Sequence, residues 1–213
     1  MAAHSPLPEK EIVSLSMIHP DWVDAPGASL GAPSVVGILM ENPRINRKVV
    51  ELVLQDNNLL YDDILECSSE DALAARLVFE NLNRFALQVG LVLYGDYLAS
   101  MVDRSMLGQL TEQFDITDMR RAVRLRSLAN YRDDTHFSAV QFPDIVMAAG
   151  KTCIYAWSES VPYELQGRVQ LIFPKSQIEA LPYFKKRCQS AADVVRAVAQ
   201  NVGLPSSSRG AAR

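Results

Sequence analysis

Apolar residues recur every three or four positions along most of the chain, the spacing of helices that bury one side. The strongest case opens at Ser68 or Ser69, where a hydroxyl precedes Glu70 and Asp71. This arrangement puts a capping oxygen at a helix start and acids where the helix dipole favours them. Beyond it, Ala74, Leu77, Val78, Phe85, Val89 and Val92 share one side, and from Phe85 to Tyr94 the other sides become apolar too. That pattern predicts a long central helix enclosed by protein. Gly90 and Gly95 each cost about 1 kcal/mol relative to alanine inside a helix, so they predict a close helix neighbour or a break near Gly95.

The same periodicity predicts helices from Ser34 to Met40, from Pro43 to Gln55 and, briefly, from Leu59 to Glu66. Asp96 is placed to cap Tyr97 to Val102. A further helix is expected from Ser105 to Phe114, and Thr117 is placed to cap one from Asp118 to about Ala129. Pro143 opens a helix to about Trp157, whose Ile145, Ala148, Ala149, Thr152 and Ala156 make a narrow, small-residue face. Pro162 opens the next. Residues Val169 to Phe173 read both ways: Val169, Leu171 and Phe173 alternate like a strand, while Leu165, Val169 and Ile172 repeat like a helix. Ser190 to Val202, stopped by Gly203, closes the pattern. The expected fold class is all-α, a single compact helical domain over 34–203.

The two ends differ in character. Residues 1–33 contain five prolines and two glycines, which predicts an extended arm pinned to the core by Ile18, Trp22 and Val23. Residues 204–213, rich in Pro, Ser, Gly and Ala, are expected to form a disordered tail.

Composition narrows the class. With 48% hydrophobic and 22% charged residues the chain is expected to fold, and the longest charge-free stretch around its apolar centre, Phe85 to Gly95, is too short to cross a membrane. Three scattered cysteines (Cys67, Cys153, Cys188) and a start without a signal-like pattern fit a reducing, cytoplasmic setting. A net charge of -4 disfavours whole-molecule attraction to nucleic acid.

Catalytic and cofactor motifs fail one by one. Gly150-Lys151-Thr152 lacks the earlier glycine of a phosphate loop, since that position is Ile145 within a helical pattern. His4, His19 and His136 do not stand at zinc-ligand spacing, and a Cys-His pair would have to use Cys153 or Cys188 with His136. Asp62-Asp63 and Asp133-Asp134 read as solvated charges. The expectation is no enzyme activity and no cofactor or metal.

Charge is segregated, however. Residues 49–75 hold seven acids and no Lys or Arg, whereas residues 119–132 hold five arginines and no acid. Arg120, Arg121, Arg124 and, if the helix continues, Arg132 fall within an arc of about 120°, which makes them the candidate partner-binding residues. Arg126 points the other way, beside Met119 and Val123, and is expected to be paired and partly buried. A solvated surface, an acidic protein partner and nucleic acid are the three readings of the basic face. A helix-turn-helix reading of 106–126 fails, because its core positions fall on Arg121 and Arg124 and Asp115 replaces the turn glycine.

Three stretches carry a family resemblance. Leu91-Val92-Leu93-Tyr94-Gly95, preceded by Gly90, is followed at a distance by Gly150, Trp157, Pro162, Leu165, Arg168, Leu171 and Pro174; upstream stands His19-Pro20-Asp21-Trp22. In this order they resemble the SctK family of bacterial type III secretion systems over residues 15 to 185. The resemblance implies a non-enzymatic, mostly helical adaptor at the cytoplasmic face of the inner membrane. Such an adaptor links the inner-membrane ring protein SctD to the pod protein SctQ, and through it to SctL and the ATPase SctN. It transfers no catalytic or binding residue. The alternative is a helical regulator that binds nucleic acid through the Arg-rich helix 118–129.

Overall fold

The computed structural model describes residues 18–27, 43–59, 67–129, 137–175 and 190–203. Regular structure among them is entirely helical: α1 (Pro20–Gly27), α2 (Pro43–Asp56), α3 (Ser69–Leu93), α4 (Gly95–Ser100), α5 (Arg104–Gln113), α6 (Ile116–Leu125), a 3-10 turn (Arg126–Leu128), α7 (Phe142–Ser158), α8 (Tyr163–Gln170) and α9 (Ala191–Gly203). The fold is therefore all-α, as the periodicity predicts. The helix expected from Ser34 to Met40, the one expected from Leu59 to Glu66 apart from Leu59 itself, and the tail from 204 lie outside the described residues. No helix among the described residues is long and apolar enough to cross a membrane. Val169 and Gln170 complete α8, and Leu171–Phe173 form a turn rather than a strand.

The described part of the arm, residues 18–27, is helical from Pro20 where an extended form is expected. Pro20 supplies a fixed φ suited to the first turn, and the Asp21 N–H donates to His19 Nδ1 at 3.3 Å at the start of this helix of eight residues. The anchoring follows the prediction, with Ile18 and Val23 buried and Trp22 packed against the core. Polar contacts fix its register: the His19 N–H donates to Leu171 O at 2.8 Å and Trp22 Nε1 to Phe173 O at 2.8 Å. The Lys175 N–H donates to Asp21 Oδ2 at 3.1 Å, while the Lys175 ammonium lies 4.7 Å from the centroid of the Trp22 ring.

Helix α3 forms the centre. Ser68 is its cap: the Asp71 N–H donates to the Ser68 hydroxyl at 3.1 Å, and that hydroxyl donates to Asp71 Oδ2 at 2.7 Å. The helix is broken at Asn81 (φ −164°, ψ 88°), whose side chain accepts from the Arg84 N–H at 3.0 Å and so caps the second half. At Gly90 a methyl group would overlap the Val146 carbonyl, and at Gly150 one would overlap the Ala86 carbonyl. The two glycines thus let α3 and α7 touch backbone to backbone along antiparallel directions. At Gly95 a Cβ would stand 2.7 Å from Ala122 O and 2.6 Å from Arg126 Cβ, so this glycine opens α4 where α6 presses closest. Asp96 does not cap α4, which begins one residue earlier without a side-chain cap. Asp103 caps α5 instead, accepting from the Ser105 N–H at 2.8 Å.

One buried carboxylate joins three helices. Asp71 accepts from Trp157 Nε1 of α7 at 2.8 Å, and from Arg196 of α9 through Nε at 2.8 Å and a terminal nitrogen at 3.1 Å. Burial pushes the Asp71 carboxyl up, but the hydrogen bonds from Arg196, Ser68 and Trp157 outweigh it and hold the group below the usual aspartate range. Beside it, burial and the Asp71 charge push the Cys67 thiol up.

Two outcomes follow from these contacts. Gly90→Leu should destabilise by about 3 kcal/mol or more, because the obstacle is a carbonyl of α7 and not a flexible side chain; a denaturant midpoint equal to the parent's would refute the close crossing. Asp71→Asn should cost about 3 kcal/mol at neutral pH. A carboxyl depressed in the folded state stabilises fully above its unfolded pKa, and loses that contribution as pH falls through the lower folded value. The gap between parent and Asp71→Asn melting temperatures should accordingly be constant at neutral pH and close in acid below the ordinary aspartate range. A gap independent of pH down to that range and beyond would reject the ion-pair account.

Candidate functional site

The basic segment folds as α6 followed by the 3-10 turn. Its cap is Asp115 and not Thr117: the Asp115 side chain accepts from the Thr117 N–H at 2.6 Å. Hydrogen bonds from the Thr117 backbone and hydroxyl, with a smaller contribution from Arg121, hold Asp115 below the usual carboxylate range, so the cap is charged at neutral pH. Met119 and Ala122 face the core.

The arginines divide differently from the helical wheel. Arg120 and Arg124 are exposed, as predicted. Arg121 is not: its side chain is 16% exposed and is ion-paired with Asp118, itself 19% exposed. Asp118 also accepts both hydrogen bonds of the buried Gln88 carboxamide at 3.2 Å, so Arg121 belongs to a polar junction between α3 and α6. Arg126, expected to be partly buried, is exposed. It pairs with Asp96 at 3.3 Å and donates to Val123 O. The Arg126 Cβ does face α4, where a Cβ on Gly95 would stand 2.6 Å from it, but the long side chain carries the guanidinium out to Asp96 at the surface. Arg132 lies outside the described residues.

What remains is a surface strip on α6 with Ile116, Arg120 and Arg124 at four-residue intervals, Ile116 being 52% exposed. Asp96, Asp115 and Asp118, the acids on and beside α6, are each engaged elsewhere, so the two guanidinium groups present their charge outward. Sequence reasoning missed Ile116 as the apolar end of the strip; its exposure follows from the cap at Asp115, which places it in the first turn.

Other chemical candidates sort quickly. Cys153 is fully buried, with its Sγ 3.9 Å from Ala191 O, while Cys188 and His136 lie outside the described residues. Lys151 and Thr152 are interior positions of α7, and the Thr152 hydroxyl donates to Ala148 O at 2.9 Å. Among the described residues no group of three or more His, Cys, Asp or Glu side chains is placed to hold a metal ion.

The residues that carry the family resemblance are packing residues. Leu91, Val92, Leu93 and Tyr94 are buried on α3; Gly150 makes the α3 crossing; Trp157, Leu165, Arg168 and Leu171 are buried; and Pro162 caps α8. No family model, curated protein or solved structure matches the chain.

The revised roles give a direct comparison. Arg121→Ala should cost about 1 to 3 kcal/mol, since it leaves Asp118 half-buried beside Gln88 without its cation. Arg126→Ala should cost under about 1 kcal/mol, as for an exposed ion pair. Urea unfolding of the two variants measures both, and the reverse ranking would restore the helical-wheel assignment.

Proposed function

We propose that this chain is a non-enzymatic adaptor of a bacterial type III secretion system, joining the cytosolic part of the inner-membrane ring to the pod protein and, through it, to the stalk and ATPase. The observation that carries the reading is the contact between two of the resembling stretches. His19 to Trp22 docks along Leu171 to Lys175, so segments about 150 residues apart form one structural unit. The stretches that carry the resemblance thus lie in one packed unit of this chain, and that proximity is what supports the reading. The adaptor would act at the cytoplasmic face of the inner membrane.

Within this reading the strip on α6 is a contact for an acidic partner surface. The nucleic-acid alternative has less behind it: the helix stops at Leu125, Arg121 is occupied by Asp118, and two outward arginines give only a shallow salt dependence.

The test is co-purification of the tagged chain with the ring and pod proteins of a secretion system. Both should be recovered with the parent chain. Arg120→Glu with Arg124→Glu should slow association with one of them by about tenfold at low salt, with the difference shrinking at about 0.5 M salt and the helical spectrum unchanged. Recovery of both partners at the parental rate would make the strip a solvated surface. Recovery of neither by the parent would sink the adaptor reading.

A further inference from the structure

A second surface feature is independent of the arginines of α6. Helix α5 is held along one side, where Leu110 is fully buried and Met106 is half-buried, its Sδ accepting from the Tyr97 hydroxyl at 3.8 Å. Arg104, Leu107, Gly108, Thr111 and Glu112 are exposed on the others, and Val102, just before the helix, is 90% exposed. At about 100° per residue, Gly108 lies midway between Arg104 and Glu112 on the outward face, about one turn from each.

Nothing inside the fold accounts for Gly108. It sits on helical backbone in the interior of α5, where no turn requires a glycine and where one costs stability relative to alanine. At Gly90, Gly150 and Gly167 a Cβ would collide with another part of the chain, whereas at Gly108 it would meet no described atom within 4 Å. The charges around it are ordered. Arg104 and Glu112 are the charged residues of α5, four positions before and four after Gly108, and neither bonds to another side chain among the described residues. When two copies of such a helix cross antiparallel at Gly108, Arg104 of each faces Glu112 of the other. A parallel pair would set like charges together.

We propose that α5 is the contact through which two copies of this chain pair, antiparallel and across a two-fold axis at Gly108. The absent side chain lets the two backbones approach as α3 and α7 do at Gly90, with Leu107 and Thr111 flanking the crossing. A helix of 10 residues is about 15 Å long. The contact is therefore smaller than the roughly 1,200 Å² of a stable interface, and the dimer is weak and reversible, with a dissociation constant on the order of 100 µM. This face shares no residue with the strip on α6, so it stands or falls apart from the adaptor reading.

Sedimentation equilibrium of the full chain, from about 10 to about 500 µM, should fit a monomer–dimer equilibrium that is tighter at about 0.05 M salt than at about 0.5 M. Gly108→Leu should weaken the dimer by about tenfold or more. Its urea midpoint, measured in dilute solution, should equal or exceed the parent's, because the new side chain enters open space on a helix that favours it. Arg104→Glu and Glu112→Arg should each weaken self-association by about tenfold, since each sets like charges at both ends of the pair. An equal mixture of these two variants should associate as the parent does, because each supplies the charges that the other lacks. The proposal fails if the parent stays monomeric at the highest concentration, which would leave the face to a different protein, or if its mass rises past that of a dimer. It fails equally if Gly108→Leu associates as the parent does, or if mixing the two charge variants restores nothing.

Discussion

The distance between α3 and α7 governs the rest of the molecule. Gly90 and Gly150 each lie under a carbonyl of the opposite helix, so the pair fixes both the separation of the two helices and their relative register. A close crossing of this kind loses side-chain burial at two positions and gains dense backbone contact along the whole face, where Ala86, Val146, Cys153 and Trp157 are all fully buried. Because Trp157 is carried on α7, the crossing also sets where its indole nitrogen falls, which is on Asp71.

That carboxylate turns a packing arrangement into a specified one. The glycines set the register of α3 and α7 alone; a carboxylate that must meet an indole, a guanidinium and a hydroxyl extends it to α9. Slippage of α9 by one turn would take Arg196 away from Asp71 and leave a buried charge with too few donors, a penalty larger than any single apolar contact. Gln88, Asp118 and Arg121 do the same between α3 and α6 on a smaller scale.

The sequence made the local and periodic features readable: the Ser68 cap, the start of α7 at Pro143, the enclosed end of α3 and the close neighbour at Gly90. Each depends on residues within a turn or two of one another. Asn81 was invisible because the apolar spacing continues across the break, and only its side-chain bond to the Arg84 N–H reveals a second helix start. Thr117 and Asp115 are both good caps two residues apart, and choosing between them needs the backbone path after Phe114. The wheel places the Arg126 Cβ correctly against α4, but not the reach of its side chain to Asp96 at the surface. The Asp71–Arg196 pair and the Trp22–Phe173 bond join residues more than 100 positions apart, and no periodicity encodes such partners. Of the four arginines named from sequence, two face outward, one is consumed by its own helix and one lies beyond the described chain.

The break at Asn81 has a mechanical consequence. It divides the central helix into one half held by α9 through Asp71 and another held by α6 through Gln88. Helix α7 carries no such break and reaches both halves, at Trp157 on one side of Asn81 and at Gly150 and Val146 on the other. It therefore acts as a splint across the bend. The angle at Asn81 is thus set by the straight helix laid across it and not by the broken one.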